Sequence, residues 1–131
     1  MSTLKTSNIQ DTSGGNNSTP EQISQGRAKA WINFDGTAST IGTGRDSFNV
    51  ASVTDNNPGD YTINFTNDMA NTNYTVCATT IASSGSTVAV VGVKGNHATA
   101  YATDSITVQC IKPSNNGLAD RTVINVVVFG D

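Results

Sequence analysis

The stretch Ser47-Phe-Asn-Val-Ala-Ser-Val-Thr-Asp-Asn-Asn-Pro-Gly-Asp-Tyr-Thr-Ile-Asn-Phe-Thr66 decides the fold. Pro58-Gly59 stands at its centre. Proline presets φ for the second position of a type II turn, and glycine supplies the positive φ of the third. After the turn, Tyr61, Ile63 and Phe65 alternate with Thr62, Asn64 and Thr66, which is the period of a strand with one face buried. Before it, Phe48 to Val53 forms the partner strand. The stretch predicts a β-hairpin over 47–66.

Working outward toward the N-terminus, the period of two persists. Ala28, Ala30, Ile32 and Phe34 share one face of a strand, and Lys29, Trp31 and Asn33 share the other. Asp35-Gly36 ends it, and the Gly/Thr/Ser-rich 36–44 reads as a loop. Upstream, Thr19-Pro20-Glu21-Gln22 carries an N-cap, a proline at the first helical position and the glutamine of a capping box. Gly26 closes a short helix over 20–25, the one convincing helix signal in the chain. Residues 1–18 have no periodicity, and only Leu4 and Ile9 are candidates for burial. Alone they read as a flexible linker, able to order along a partner.

Working outward toward the C-terminus, Tyr74, Val76 and Ala78 alternate with Thr75, Cys77 and Thr79. Ser83 to Ser86 predicts a turn. Val88 to Val93 is nearly continuous apolar sequence, which predicts burial on both faces. Lys94-Gly-Asn96 is a second tight turn, and Ala98 to Ala102 follows as a strand. Ile106, Val108 and Cys110 alternate with Thr107 and Gln109. Pro113 to Ala119 is a loop, and Thr122 to Phe129 is a long apolar strand. Seven or eight strands at such intervals predict an all-β fold: an antiparallel β-sandwich or small barrel over 28–131, preceded by an arm with one short helix over 1–27.

Composition agrees. Ser, Thr, Asn and Gly make up close to half of the 131 residues, and charged residues only 13%. Leu, Ala, Glu and Lys are too scarce for a helical bundle. A net charge of −3 with abundant Val, Ile and Thr excludes charge-driven disorder. Seven Lys and Arg at a pI of 4.8 offer no basic face for nucleic acid. No apolar run reaches the roughly 18–20 residues of a membrane helix. Met1-Ser-Thr-Leu-Lys lacks the apolar core of a secretory signal, so folding in a reducing cytosol is expected. Eight aromatic residues and the Val/Ile set make an adequate core but no more, a shortfall that oligomerisation relieves.

The two cysteines, Cys77 and Cys110, read as buried free thiols rather than as a disulfide or metal site. The aspartates Asp46, Asp55, Asp60, Asp68, Asp104 and Asp120 lie in or beside turns, where their side chains bond backbone N–H groups. None pairs with a second carboxylate as glycoside hydrolysis requires. Asp55 to Asp60 misplaces the glycine of a calcium loop. His97 has no nucleophile motif beside it. The Asn-x-Thr/Ser matches, those at Asn17, Asn64 and Asn73 among them, follow from composition. No catalytic residue, cofactor or metal is expected. Trp31 and Tyr74 are assigned to the core. His97 and Tyr101, with Asn96, are the candidates for stacking on and hydrogen bonding to a sugar ring.

Ser-Asn-Ile-Gln-Asp at 7–11 and Pro20 to Gly36 together resemble a segment of tail-fibre and related tail proteins of tailed bacteriophages, often those of aquatic bacteria. So do Arg45 to Asp55, Gly59 to Phe65, Met69 to Tyr74 and Val126 to Asp131. The resemblance runs over 7–131 and lies in the order of the motifs. It implies a C-terminal-type β module and a non-catalytic virion structural protein of the tail. It further implies a homotrimer contacting other virion proteins, with recognition of host glycan. A head decoration (cement) protein is the alternative, and a polysaccharide depolymerase is excluded by the short chain without paired acids. The final strand is apolar on both faces, so one face covers the core and the other meets neighbouring subunits. Ile124, Val126 and Val128 are assigned to that oligomer contact. Residues 1–27 would dock the module, and the tips at 82–86, 94–101 and 113–119 would face the host.

Overall fold

The computed structural model describes residues 2–82, 89–95 and 97–130. Eleven elements follow one another among them: α1 Pro20–Gly26, β1 Ala30–Phe34, β2 Asp46–Phe48, β3 Val50–Asn57, β4 Asp60–Phe65, β5 Thr75–Thr80, β6 Val90–Val93, α2 His97–Ala100, β7 Ser105–Lys112, β8 Gly117–Leu118 and β9 Ile124–Phe129. The strands form two antiparallel sheets, a four-stranded one in the order β2-β1-β9-β5 and a five-stranded one in the order β3-β4-β7-β6, with β8 against β7. The all-β sandwich is as predicted.

The decisive hairpin is present. Asn57 pairs with Asp60 around the turn, and Gly59 has φ +72°. Its first residues, however, belong elsewhere. Asn49 adopts φ +57°, and its side chain bonds to Lys29 O and to the Asn67 backbone at both N–H and C=O. This kink sends 46–48 to β1 in the other sheet as β2, and asparagine tolerates the conformation better than most residues.

Alternation sorts the side chains. Ala30, Ile32, Phe34, Tyr61, Ile63, Phe65, Ile106, Val108, Cys110, Ile124, Val126 and Val128 fill the space between the sheets. Phe34 meets Tyr61 edge to face at 5.2 Å, the preferred aromatic geometry. Ile124, Val126 and Val128 are at most 1% exposed. They are core, and the oligomer-contact assignment is corrected: on β9 it is Val127 and Phe129 that face outward.

Four further expectations change. Residues 97–100 are a helical turn, closed by Tyr101 N–H donating to His97 O, and not a strand. β6 is an edge strand with Val90 47% exposed, so it is not buried on both faces; Val88 lies outside the described residues. Trp31 is half-buried on the outer face of β1, because the core takes its neighbours Ala30 and Ile32. Cys77 is exposed on the outer face of β5, while Cys110 is buried; both are free.

The arm is built locally. Thr19 caps α1 with both bonds of the capping box in place. Gly26 is the last helical residue, and the exit comes at Arg27 in extended conformation. Residues 9–18 are more ordered than a linker. Ile9 and Ser18 pair through two backbone bonds, and Asp11 accepts from Ser13 and Gly15 N–H inside the loop. No residue of α1 is buried, and Leu4 and Ile9 are 85% and 52% exposed.

Candidate functional site

The two ends of the sandwich differ in chemistry. At the arm end, an aromatic file runs from surface to core. His97 stacks on Tyr101 at 4.8 Å with an interplanar angle of 17°, Tyr101 leans on Tyr74 at 5.0 Å, and Tyr74 meets Phe65 at 6.1 Å. The helical turn of α2 makes the first contact, since residues four apart share a helix face. His97 Nε2 lies 2.9 Å from Thr72 O. The Tyr74 hydroxyl lies 2.9 Å from the carbonyl oxygens of both Ala102 and Ser105. Burial is the main cause that pushes the Tyr74 phenol up to about 12, so it stays a neutral donor. Of the predicted sugar-contact residues, His97 and Tyr101 are therefore together and partly accessible, and Asn96 lies outside the described residues.

Their position is not the expected one. Thr72, which bonds His97, lies between Asn71 and Asn73, and these line a crevice of about 460 Å³ with Gln25 of α1 and Phe129. Residues 97–101 thus share the arm's end of the sandwich. The 113–119 loop occupies the opposite end, and 83–86 lie outside the described residues.

At that opposite end, loops are fastened by carboxylates. Asp120 Oδ1 accepts from the Tyr61 hydroxyl at 2.6 Å and from Gly59 N–H at 2.7 Å. Asp35 holds Thr37 and pairs with Arg45 at 3.0 Å; Arg45 also reaches Asn33 and Thr122 O. The Thr37 bonds first, and Arg45 next, hold the Asp35 carboxyl below its ordinary value. Burial, with the adjacent Asp120, raises the Tyr61 phenol far above its usual range. Turn duty accounts for both aspartates.

Asp60 is a third case. Its side chain is 5% exposed, and it accepts from Lys94 at 2.6 Å, Gln109 at 3.0 Å and Asn56 at 3.1 Å. Burial pushes its carboxyl up, but these three donors outweigh burial and hold it below the ordinary value. The three donors satisfy the carboxylate, which therefore fastens the hairpin to β7 and to Lys94, just beyond β6.

The outer face of the four-stranded sheet carries what the sequence pass did not single out. Cross-strand pairing aligns Phe48, Trp31, Val127 and Cys77 in one rung. The next rung is polar: Asp46, Asn33, Asn125 and Thr79. Phe48 is 52% exposed. Beside it, between arm and helix, a cleft of about 570 Å³ is lined by Leu4, Ile9, Pro20, Ile23 and the basic Lys5 and Arg27. The alternation Lys29, Trp31, Asn33 already marked the strand's second face, but only the pairing register shows that Phe48 and Val127 extend it.

Among the described residues, no group of three or more His, Cys, Asp or Glu is placed to hold a metal ion. No family model, curated protein or solved structure matches the chain.

Proposed function

We propose that the chain is a structural, non-catalytic subunit of a tailed-bacteriophage virion, a tail-fibre or tail-tip component that meets the host surface. The ordered series of motifs between residues 7 and 131 supports this reading. The observation that carries it furthest is the polarity of the sandwich. One end presents the apolar, accessible Leu4, Ile9 and Ile23, as a segment that docks onto other proteins requires. The other end presents mostly polar loops held by Asp35 and Asp120, with Ile81 an exposed large apolar side chain there, as a largely hydrated tip requires.

In this reading residues 1–27 join the subunit to copies of itself, three in the assembly, and to neighbouring virion proteins. The 113–119 end points away from the particle. The exposed face of the His97–Tyr101 stack is the surface for a host glycan ring, flanking the docking end.

Two measurements test the reading. Antibody-labelled particles viewed by electron microscopy carry label at the tail tip; label on the capsid faces refutes the tail assignment and establishes a head decoration protein. Purified protein added to host cells before phage lowers adsorption, and His97→Ala weakens this competition. Equal adsorption with and without the protein removes the attachment role.

A further inference from the structure

Among the described residues, an apolar cleft and an apolar ridge lie uncovered, and they are complementary. The first is the cleft between arm and α1, with Leu4, Ile9 and Ile23 exposed by 85%, 52% and 42%. Lys5 and Arg27 make its rim basic. The second is the ridge formed by Phe48 and Trp31 on the outer sheet face. Asp46 lies two residues from Phe48 on the same face and is exposed, so the ridge has an acidic flank. Asp68 lines the crevice of about 360 Å³ beside Phe48, together with Arg27 and with Lys29, whose ammonium is bonded to Ser24, so the acidic flank is the one at Asp46.

Within one chain the two surfaces do not cover each other. Arg27 lines both the cleft and the crevice beside Phe48, while Phe48 itself is not among the cleft's lining residues. The ridge therefore flanks the cleft across Arg27 and does not enter it. A single copy leaves both exposed.

We propose that the arm–α1 cleft of one copy receives the Phe48–Trp31 ridge of a second copy, with Lys5 and Arg27 set against Asp46. The inference rests on the reading that the chain assembles with itself, and it names the residues that do so. The contact joins two different patches, so it is heterologous: each copy offers a cleft to one neighbour and a ridge to another. Such contacts close into a ring when the rotation permits and otherwise extend as a filament. Burial of exposed apolar side chains supplies the attraction, and the charge pattern fixes which patch meets which.

The test uses the full chain. Light scattering after size separation is expected to give a multiple of 13.6 kDa. Phe48→Asp and Ile23→Asp each move the mass to that of one chain, because each places a carboxylate in the apolar contact. Both positions are exposed, so far-UV circular dichroism stays as in the parent, and Tm falls only by what the assembly contributes, a part that depends on protein concentration in the parent and not in the variants. Val90→Asp, on the outer face of the other sheet, leaves the assembly intact. A parent protein that is monomeric at every concentration overturns the self-assembly reading itself. An assembly that survives both substitutions leaves that reading standing and overturns the cleft-and-ridge contact. The pairing is then read directly in a Cys77→Ser background. A Phe48→Cys chain mixed with an Ile23→Cys chain, with oxidised glutathione as oxidant, gives a disulfide joining the two different chains. Disulfides formed only between identical chains show ridge on ridge or cleft on cleft, and overturn the proposal.

Discussion

Removing one oxygen from Tyr61 tests whether the far loops are held by Asp120. The ring is fully buried against Phe34, so Tyr61→Phe keeps the packing and deletes only the hydroxyl. That hydroxyl has one hydrogen, and the Asp120 carboxylate at 2.6 Å takes it in preference to Gly36 O at 3.1 Å. A hydrogen bond to a charged acceptor is worth about 1.5–3 kcal/mol. Asp120 keeps its bond from Gly59 N–H, so the carboxylate is not stranded, and the expected loss is about 2 kcal/mol. With ~2.1 cal/mol/K of unfolding entropy per residue, this lowers Tm by about 7 °C. Urea unfolding followed through the fluorescence of Trp31, the single tryptophan, measures the loss directly. A double-mutant cycle with Asp120→Ala isolates the pair, and a coupling of at least about 1 kcal/mol is expected for groups in contact. A Tyr61→Phe loss below ~0.5 kcal/mol, or coupling near zero, refutes the assignment and leaves ring burial alone as the role of Tyr61.

The Asp60 carboxyl is held below its ordinary value in the folded chain, so the unfolded chain binds the proton more readily. Its stabilising contribution is full above the ordinary carboxylate pKa of about 3.9 and is lost as pH falls through the lower folded value. Asp60→Asn should therefore flatten the acid limb of stability measured by urea unfolding between pH 5 and 2, and an unchanged limb would show that Asp60 does not contribute to it. Gly59→Ala should cost more than about 2 kcal/mol, because φ is +72° and the added carbon would stand 2.5 Å from Ala119 N. Gly42→Ala, at φ +59° with nothing within 4 Å, should cost about 1 kcal/mol in the same thermal melts. Thr19→Ala removes the capping box and about 1 kcal/mol of helix stability. Since α1 buries nothing, amide exchange over 20–26 should speed up about fivefold while Tm stays constant. Exposed Cys77 should react at once with a thiol reagent. Cys110, buried and pushed up to about 11 by that burial, should react only on unfolding.

The fold was legible where local chemistry and long-range order agree. The Pro58-Gly59 turn and the Thr19–Gln22 capping box are decided within a few residues, and both stand as read. Alternation identified Ile32, Ile63 and Val108 as core for the same reason. Where two neighbours are both apolar, alternation is silent. Val123 to Phe129 offered two apolar faces, and only the pairing with Ala30, Ile32 and Phe34 turns Ile124, Val126 and Val128 inward. Trp31 misled because hydrophobicity suggested burial, while its parity placed it with Lys29 and Asn33. His97 and Tyr101 were nominated as neighbours of a turn, with Tyr101 on a strand over 98–102. Ala-Thr-Ala carries no turn signal, and the single helical turn that stacks the rings depends on contacts with Tyr74 and Thr72. Asp60 was read as a turn residue. Its donors Lys94 and Gln109 lie 34 and 49 residues away, beyond the reach of any local pattern.

The placement of β9 bears on how the molecule comes into being. In the four-stranded sheet, β1 and β5 touch only through β9, which pairs Ala30 with Val128 and Val76 with Val128 from opposite sides. β1 can pair with nearby β2, but neither that pair nor β5 can join the rest of the sheet until a segment many tens of residues downstream arrives, and closing so long a loop comes late and slowly. The hairpin from Val50 to Phe65 needs only its own two-residue turn. Its low contact order favours its forming before the four-stranded sheet closes around β9.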